Sequence, residues 1–86
     1  MIFTIDYDRQ PQNFLKKSDK HIAKRIIDKI DELLTNEPVP HTAIAIVGEH
    51  GVFRIRVGDY RAVYRVDYTK NKIVIIKLDK RSKVYD

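Results

Sequence analysis

Four arginines fall among apolar residues, at strand spacing, in the segment FRIRVGDYRAVYRVD that spans residues 53–67 of an 86-residue chain. Gly58 and Asp59 fit a two-residue hairpin turn, and glycine at the first turn position suits type II′. Counting outward from that turn predicts Val57 opposite Tyr60, Arg56 opposite Arg61, Ile55 opposite Ala62, Arg54 opposite Val63 and Phe53 opposite Tyr64. Directly opposed side chains share a face. One face therefore reads Phe53, Ile55, Val57, Tyr60, Ala62 and Tyr64. The other gathers Arg54, Arg56, Arg61 and Arg65, with Asp67 further along. Like charges facing one another destabilise a sheet, so the Arg56–Arg61 pair costs stability unless something offsets it. The guanidinium is a permanently charged planar fork matched to phosphate, and carboxylates from elsewhere in the chain are the alternative partner. A merely solvated face would mix Lys, Glu, Thr and Gln. The chemistry expected of this face is contact with the phosphates of RNA or DNA.

The charge distribution points the same way. The chain holds 17 Lys and Arg against 12 Asp and Glu, a net charge of +5. Residues 1–50 carry seven basic and eight acidic side chains, whereas residues 51–86 carry ten basic and four acidic. All of the positive excess lies in the last 36 residues, as a polyanion-facing surface would require.

The elements that must position these residues are legible in outline. IFTIDY, residues 2–7, alternates as a short strand. Asp8 is placed to cap a helix whose first turn tolerates Pro11 and whose inward residues are Phe14 and Leu15. Ser18 or Asp19 restarts a second helix, with Ile22, Ile26, Ile27, Ile30, Leu33 and Leu34 at amphipathic spacing and Pro38 and Pro40 ending it. TAIAIV, within residues 42–47, reads as either a short strand or a buried loop. Strands are then expected near 53–57, 60–67 and 72–79, the last nearly continuous in apolar residues as a central strand would be. The expectation is a single α+β domain over residues 1–86, ordered β-α-α-β-β-β, with a helical hairpin on one face of a small, mainly antiparallel sheet.

Composition narrows the chemistry. With no cysteine there is no disulfide framework, thiolate zinc site or thiol nucleophile. His21, His41 and His50 lie at unrelated positions and read as surface residues, so no metal or cofactor is expected. No apolar run approaches the roughly 20 residues of a membrane helix, and acids stand where a signal peptide would carry basic residues. No membrane partner is expected, and a cytoplasmic location is.

These residues resemble the RelE/ParE toxin superfamily, the toxin halves of toxin–antitoxin pairs. The resemblance rests on the hairpin RIRVGDYRAVY, Arg54 to Tyr64, and on the terminal KRSKVY, Lys80 to Tyr85. It implies a RelE-like, microbial-ribonuclease-like fold, a cognate RelB-like antitoxin as partner, and one of two activities. RelE-like members cut messenger RNA in the ribosomal A site; ParE-like members inhibit DNA gyrase. A non-catalytic member that only binds antitoxin or nucleic acid is a third possibility. The positions corresponding to the superfamily's cleavage residues are Arg54, Arg56, Arg61, Arg81 and Tyr85, and a full set favours ribosome-dependent mRNA cleavage. The implied reaction needs no metal. The ribose 2′-hydroxyl attacks the adjacent phosphorus, giving a 2′,3′-cyclic phosphate and a free 5′-hydroxyl. Arg61 and Arg81 would stabilise the phosphorane, Arg56 would assist, and Tyr85 would stack on a base or orient the 2′-hydroxyl. Arg54, Arg65 and Lys80 are expected to bind substrate. The general base is open among Lys80, Tyr85 and Asp79, because Arg54 and Arg56 stand where relatives carry lysine and cannot readily lose a proton; Lys80 leads, since crowding by Arg61 and Arg81 would help its ammonium to give one up.

Overall fold

The computed structural model describes residues 2–80. Strand β1 (Thr4–Tyr7) leads into α1 (Arg9–Lys17) and α2 (Lys20–Leu34); β2 (Ile44–Ala45), β3 (Val52–Val57), β4 (Tyr60–Asp67) and β5 (Lys72–Lys80) follow. The sheet order is β1-β5-β4-β3-β2. All neighbours are antiparallel except β1 and β5, which run parallel. The expected α+β class is therefore observed, and the ambiguous TAIAIV segment contributes a two-residue edge strand.

Each helix forms where its sequence directs. Asp8 caps α1, its Oδ1 accepting from the Arg9 amide at 2.9 Å, and Pro11 occupies the first turn, where a missing N–H costs no helical bond. Ser18 closes α1, its hydroxyl donating to the Phe14 carbonyl at 2.9 Å, and α2 starts two residues later. The α2 stripe of Ile26, Ile30 and Leu34 is buried against Ile55, Val57, Ala62, Tyr64, Ile73, Ile75 and Leu78 of the sheet. Tyr64 is wholly enclosed, and its hydroxyl donates to the Pro38 carbonyl at 2.7 Å, fixing the chain that leaves α2. Burial holds the hydroxyls of Tyr7 and Tyr64 well above the ordinary value of 10.0, with Asp31 adding to the effect on Tyr7 and Tyr68 to that on Tyr64. A raised tyrosine pKa favours the fold while the unfolded chain keeps its protons. That contribution is lost as pH climbs past 10.0 towards the higher folded values.

Strand β5 contains a β-bulge. Val63 pairs with Lys77, but the next residue, Tyr64, pairs with Ile75, so Ile76 has no partner on β4. The extra residue shifts the alternation by one. Ile73 and Ile75 before it, and Leu78 after it, all face the helices and are fully buried. Hence the nearly continuous apolar run is, as expected, a central strand covered on one face, with a register shift inside it.

Beyond the end of β1, a side chain completes the sheet. The Gln10 amide donates to the Leu78 carbonyl at 2.9 Å, and its oxygen accepts from the Leu78 amide at 2.8 Å. Gln10 thus makes the pair of bonds that another strand residue would make. Replacing it strands two backbone groups, so Gln10→Ala should lower unfolding free energy by about 1–3 kcal/mol. Gln12→Ala, which loses one exposed bond to the Tyr7 carbonyl, should cost under about 0.5 kcal/mol. Denaturant midpoints compare the two, and equal losses would refute the strand-replacing role.

Candidate functional site

The hairpin forms with the register expected from its sequence. Val57 pairs with Tyr60, Arg56 with Arg61, Ile55 with Ala62, Arg54 with Val63 and Phe53 with Tyr64. Gly58 has φ 60° and Asp59 a negative φ, the pattern of a type II′ turn. No Cβ clash forbids a side chain at Gly58; the positive φ alone selects glycine.

The helices cover the face of Ile55, Val57, Ala62 and Tyr64, and no described helix covers the other face. Across its end nearest the hairpin turn, one row runs Arg56, Arg61, Asp79, and the next runs Ile44, Arg54, Val63, Lys77. Arg61 is the centre of this array. Arg56 and Asp79 flank it directly; Arg54 and Lys77 lie on the diagonals, about 7–8 Å away at the backbone. Arg54 and Arg61 are half-buried, while Arg56 and Lys77 are exposed. The Arg56 Nε donates to the Gly58 carbonyl at 3.2 Å, which draws this side chain towards the turn.

The far half of the same face has a different electrostatic character. There the rows are Val52, Arg65, Val74, Asp6 and then Asp67, Lys72, Thr4. Lys72 and Asp6 form an ion pair at 2.9 Å; that hydrogen bond and charge, with Asp67 behind them, hold the ammonium above its ordinary value. Among the described residues, two cations thus balance two carboxylates in the far half, whereas four cations meet one carboxylate near the turn. Arg65 belongs to the balanced half. It lies four residues along β4 from Arg61, about 13 Å, and so serves a different part of any ligand.

The register corrects one expectation. Lys80 pairs with Tyr60, on the helix side of the sheet, and so is not crowded by Arg61 as anticipated. The alternation that follows the bulge carries Asp79 to the arginine face and turns Lys80 away. Lys77 is the residue that sequence reading passed over. Counting by twos from Ile73 and Ile75 would bury it, and no signal in the sequence marks the unpaired Ile76. Arg81 and Tyr85 lie outside the described residues.

Elsewhere, a cleft of about 430 Å³ lies between α2 and the hairpin turn, with Ile22, Ile26, Val57 and Tyr60 among its lining and Arg25 and Lys29 alongside. It is on the helix side and contains none of the expected site residues. His21, His41 and His50 are exposed. Among the described residues no three His, Cys, Asp or Glu side chains gather, and no helix is long and apolar enough to cross a membrane.

Residues 5–85 match the family model described as the ParE toxin of the type II toxin–antitoxin system parDE. The chain belongs to the ParE toxin family. No curated protein sequence matches it. The toxin's fold is similar to that of a chain in the RelBE2 toxin–antitoxin complex of Mycobacterium tuberculosis, with TM-score 0.80, 25% identity, and 96% and 95% of the two chains covered. It is also similar to a chain of the archaeal RelE–RelB complex of Pyrococcus horikoshii, with TM-score 0.77, 28% identity, and 98% and 100% covered. A chain of the RelB–RelE complex of Methanococcus jannaschii gives TM-score 0.65 at 28% identity over 94% and 95%. The sequence family thus carries the ParE name and the solved structures the RelE name, on one shared fold.

The facing arginines make a direct physical prediction for the toxin. Arg56→Gln removes one side of the like-charged pair, so the variant should unfold at an equal or higher denaturant concentration. The gain should be up to about 0.5 kcal/mol at low salt, shrinking as salt screens the pair. Clear destabilisation at low salt would mean that Arg56 is held by favourable contacts within the toxin.

Proposed function

We propose that this toxin is a ribosome-dependent endoribonuclease that cuts messenger RNA in the A site by attack of the ribose 2′-hydroxyl. The observation that carries this reading is the array around Arg61: among the described residues, four cations and one carboxylate on the sheet face that the helices do not cover. Charge density of that kind is suited to a dianionic phosphorane. Arg61 would take the non-bridging phosphate oxygens, Arg56 would add charge from the turn, and Arg54 would hold the flanking backbone. Arg65 would steer more distant phosphates, and Lys80 would contact RNA only from the strand's other side. Arg81 would join Arg61 at the phosphate and Tyr85 would orient the nucleotide.

The step balances without a metal or external reagent. The 2′-oxygen bonds to phosphorus, the bond to the 5′-oxygen breaks, one proton leaves the 2′-hydroxyl and one reaches the 5′-oxygen. Asp79, directly across from Arg61, is the best-placed described acceptor of the first proton. The natural partner is a RelB-like antitoxin, as in the complexes of the structural relatives, and the site of action is the cytoplasm.

The ParE family match favours a second reading, inhibition of DNA gyrase. Primer extension on messages after induction separates the two. Wild-type toxin should produce cleavage within translated codons, and Arg61→Ala should reduce it by at least about 100-fold, the scale on which charge-stabilising groups act. Intact messages together with DNA-damage signalling would refute the nuclease and support the gyrase inhibitor.

A further inference from the structure

On the reading that the open face meets RNA, we propose that Lys77 is an additional substrate-contacting residue, whose ammonium binds a phosphate next to the one held at Arg61. The β-bulge is the first support. It brings Lys77 opposite Val63 and diagonal to Arg61, mirroring Arg54 across β4. Bulges recur beside functional sites because they re-aim a side chain. The register shift also lets Leu78 be buried, so the bulge alone does not decide the matter.

The charges decide it. Two lysines occupy the open face on β5. Lys72 is neutralised by Asp6 at 2.9 Å. Lys77 is exposed and makes no ion pair among the described residues, although Arg61 is its diagonal neighbour and Arg54 lies beyond Val63 in the same row. For the fold alone, an unpaired cation in that position is unfavourable. A polyanion reverses the sign, and Arg54, Arg61 and Lys77 then form a triangle of positive charge across three strands. The flexible stem and compact charge of lysine suit a point contact with a phosphate oxygen, beside arginines that grip in a fork. Val63, half-buried between Arg54 and Lys77, gives the sugar or base an apolar surface between the two cations.

The test compares Lys77→Gln, Lys77→Arg, Lys70→Gln and Arg61→Ala in a cell-free translation reaction, with primer extension giving the cleavage rate at several salt concentrations. Lys70, exposed in the β4–β5 turn, controls for net charge. Lys77→Gln should cut about tenfold or more slowly, as expected for loss of a hydrogen bond to a charged group. The slope of log rate against log salt should fall by about 0.7, one single-strand phosphate contact. Lys77→Arg should stay within about threefold of wild type and Lys70→Gln should match it. Equal melting curves exclude a folding effect. Wild-type rate and salt slope for Lys77→Gln, with Arg61→Ala inactive, would overturn this proposal alone. Lys77→Arg as slow as Lys77→Gln would overturn the role as a simple charge. Wild-type cutting by Arg61→Ala would remove the nuclease reading beneath it.

Discussion

The structure depends on one constraint: the described helices form a single layer, so they cover only one face of the sheet. Side chains on β3 and β4 alternate strictly, and the rows of Ile55, Val57, Ala62 and Tyr64 must lie under α2. Once they do, Arg54, Arg56, Arg61 and Arg65 have no other face to occupy. A slip of one residue would bury guanidiniums and expose the core, a cost of many kcal/mol that fixes the hairpin register. Assembly of the cationic face is thus a by-product of packing. What packing alone does not dictate is the choice of arginine at these positions, since a sheet face not covered by helix accepts many polar side chains.

The same constraint shows why so much was legible beforehand. Hairpin register follows from the Gly58-Asp59 turn and period-two alternation, both local properties, and both helices follow from caps and an apolar stripe. One feature escaped and one stayed ambiguous, for physical reasons. The bulge at Ile76 is a property of the pairing between β4 and β5, invisible when either strand is read alone, and it puts Asp79 and not Lys80 on the arginine face. The TAIAIV segment forms only two residues of edge strand, Ile44 and Ala45, whose pairing with β3 owes more to proximity than to pattern.

The two activities on this fold differ in what the open face must do. A nuclease needs positive charge concentrated at one reacting phosphate; a protein that grips another protein can spread it. Here the excess is confined to the end near the hairpin turn, and the rest of the face is internally balanced by Asp6, Asp67, Arg65 and Lys72. The result is an asymmetric surface, with Arg61 rather than the geometric centre of the sheet at the middle of its positive charge.

Gln10 gives the molecule an unexpected mechanical coupling. Because its amide, carried on the first turn of α1, completes the ladder at Leu78, that turn and the end of β5 open and close together. The Leu78 amide lies between Lys77 and Asp79, so fraying of a helix on the covered side frees the strand that carries charge on the open side. Hydrogen exchange at this one amide therefore measures how firmly the covered layer holds the exposed one. A molecule that loosened α1 on binding would reach the far face of the sheet through a side chain, with no change in the main core.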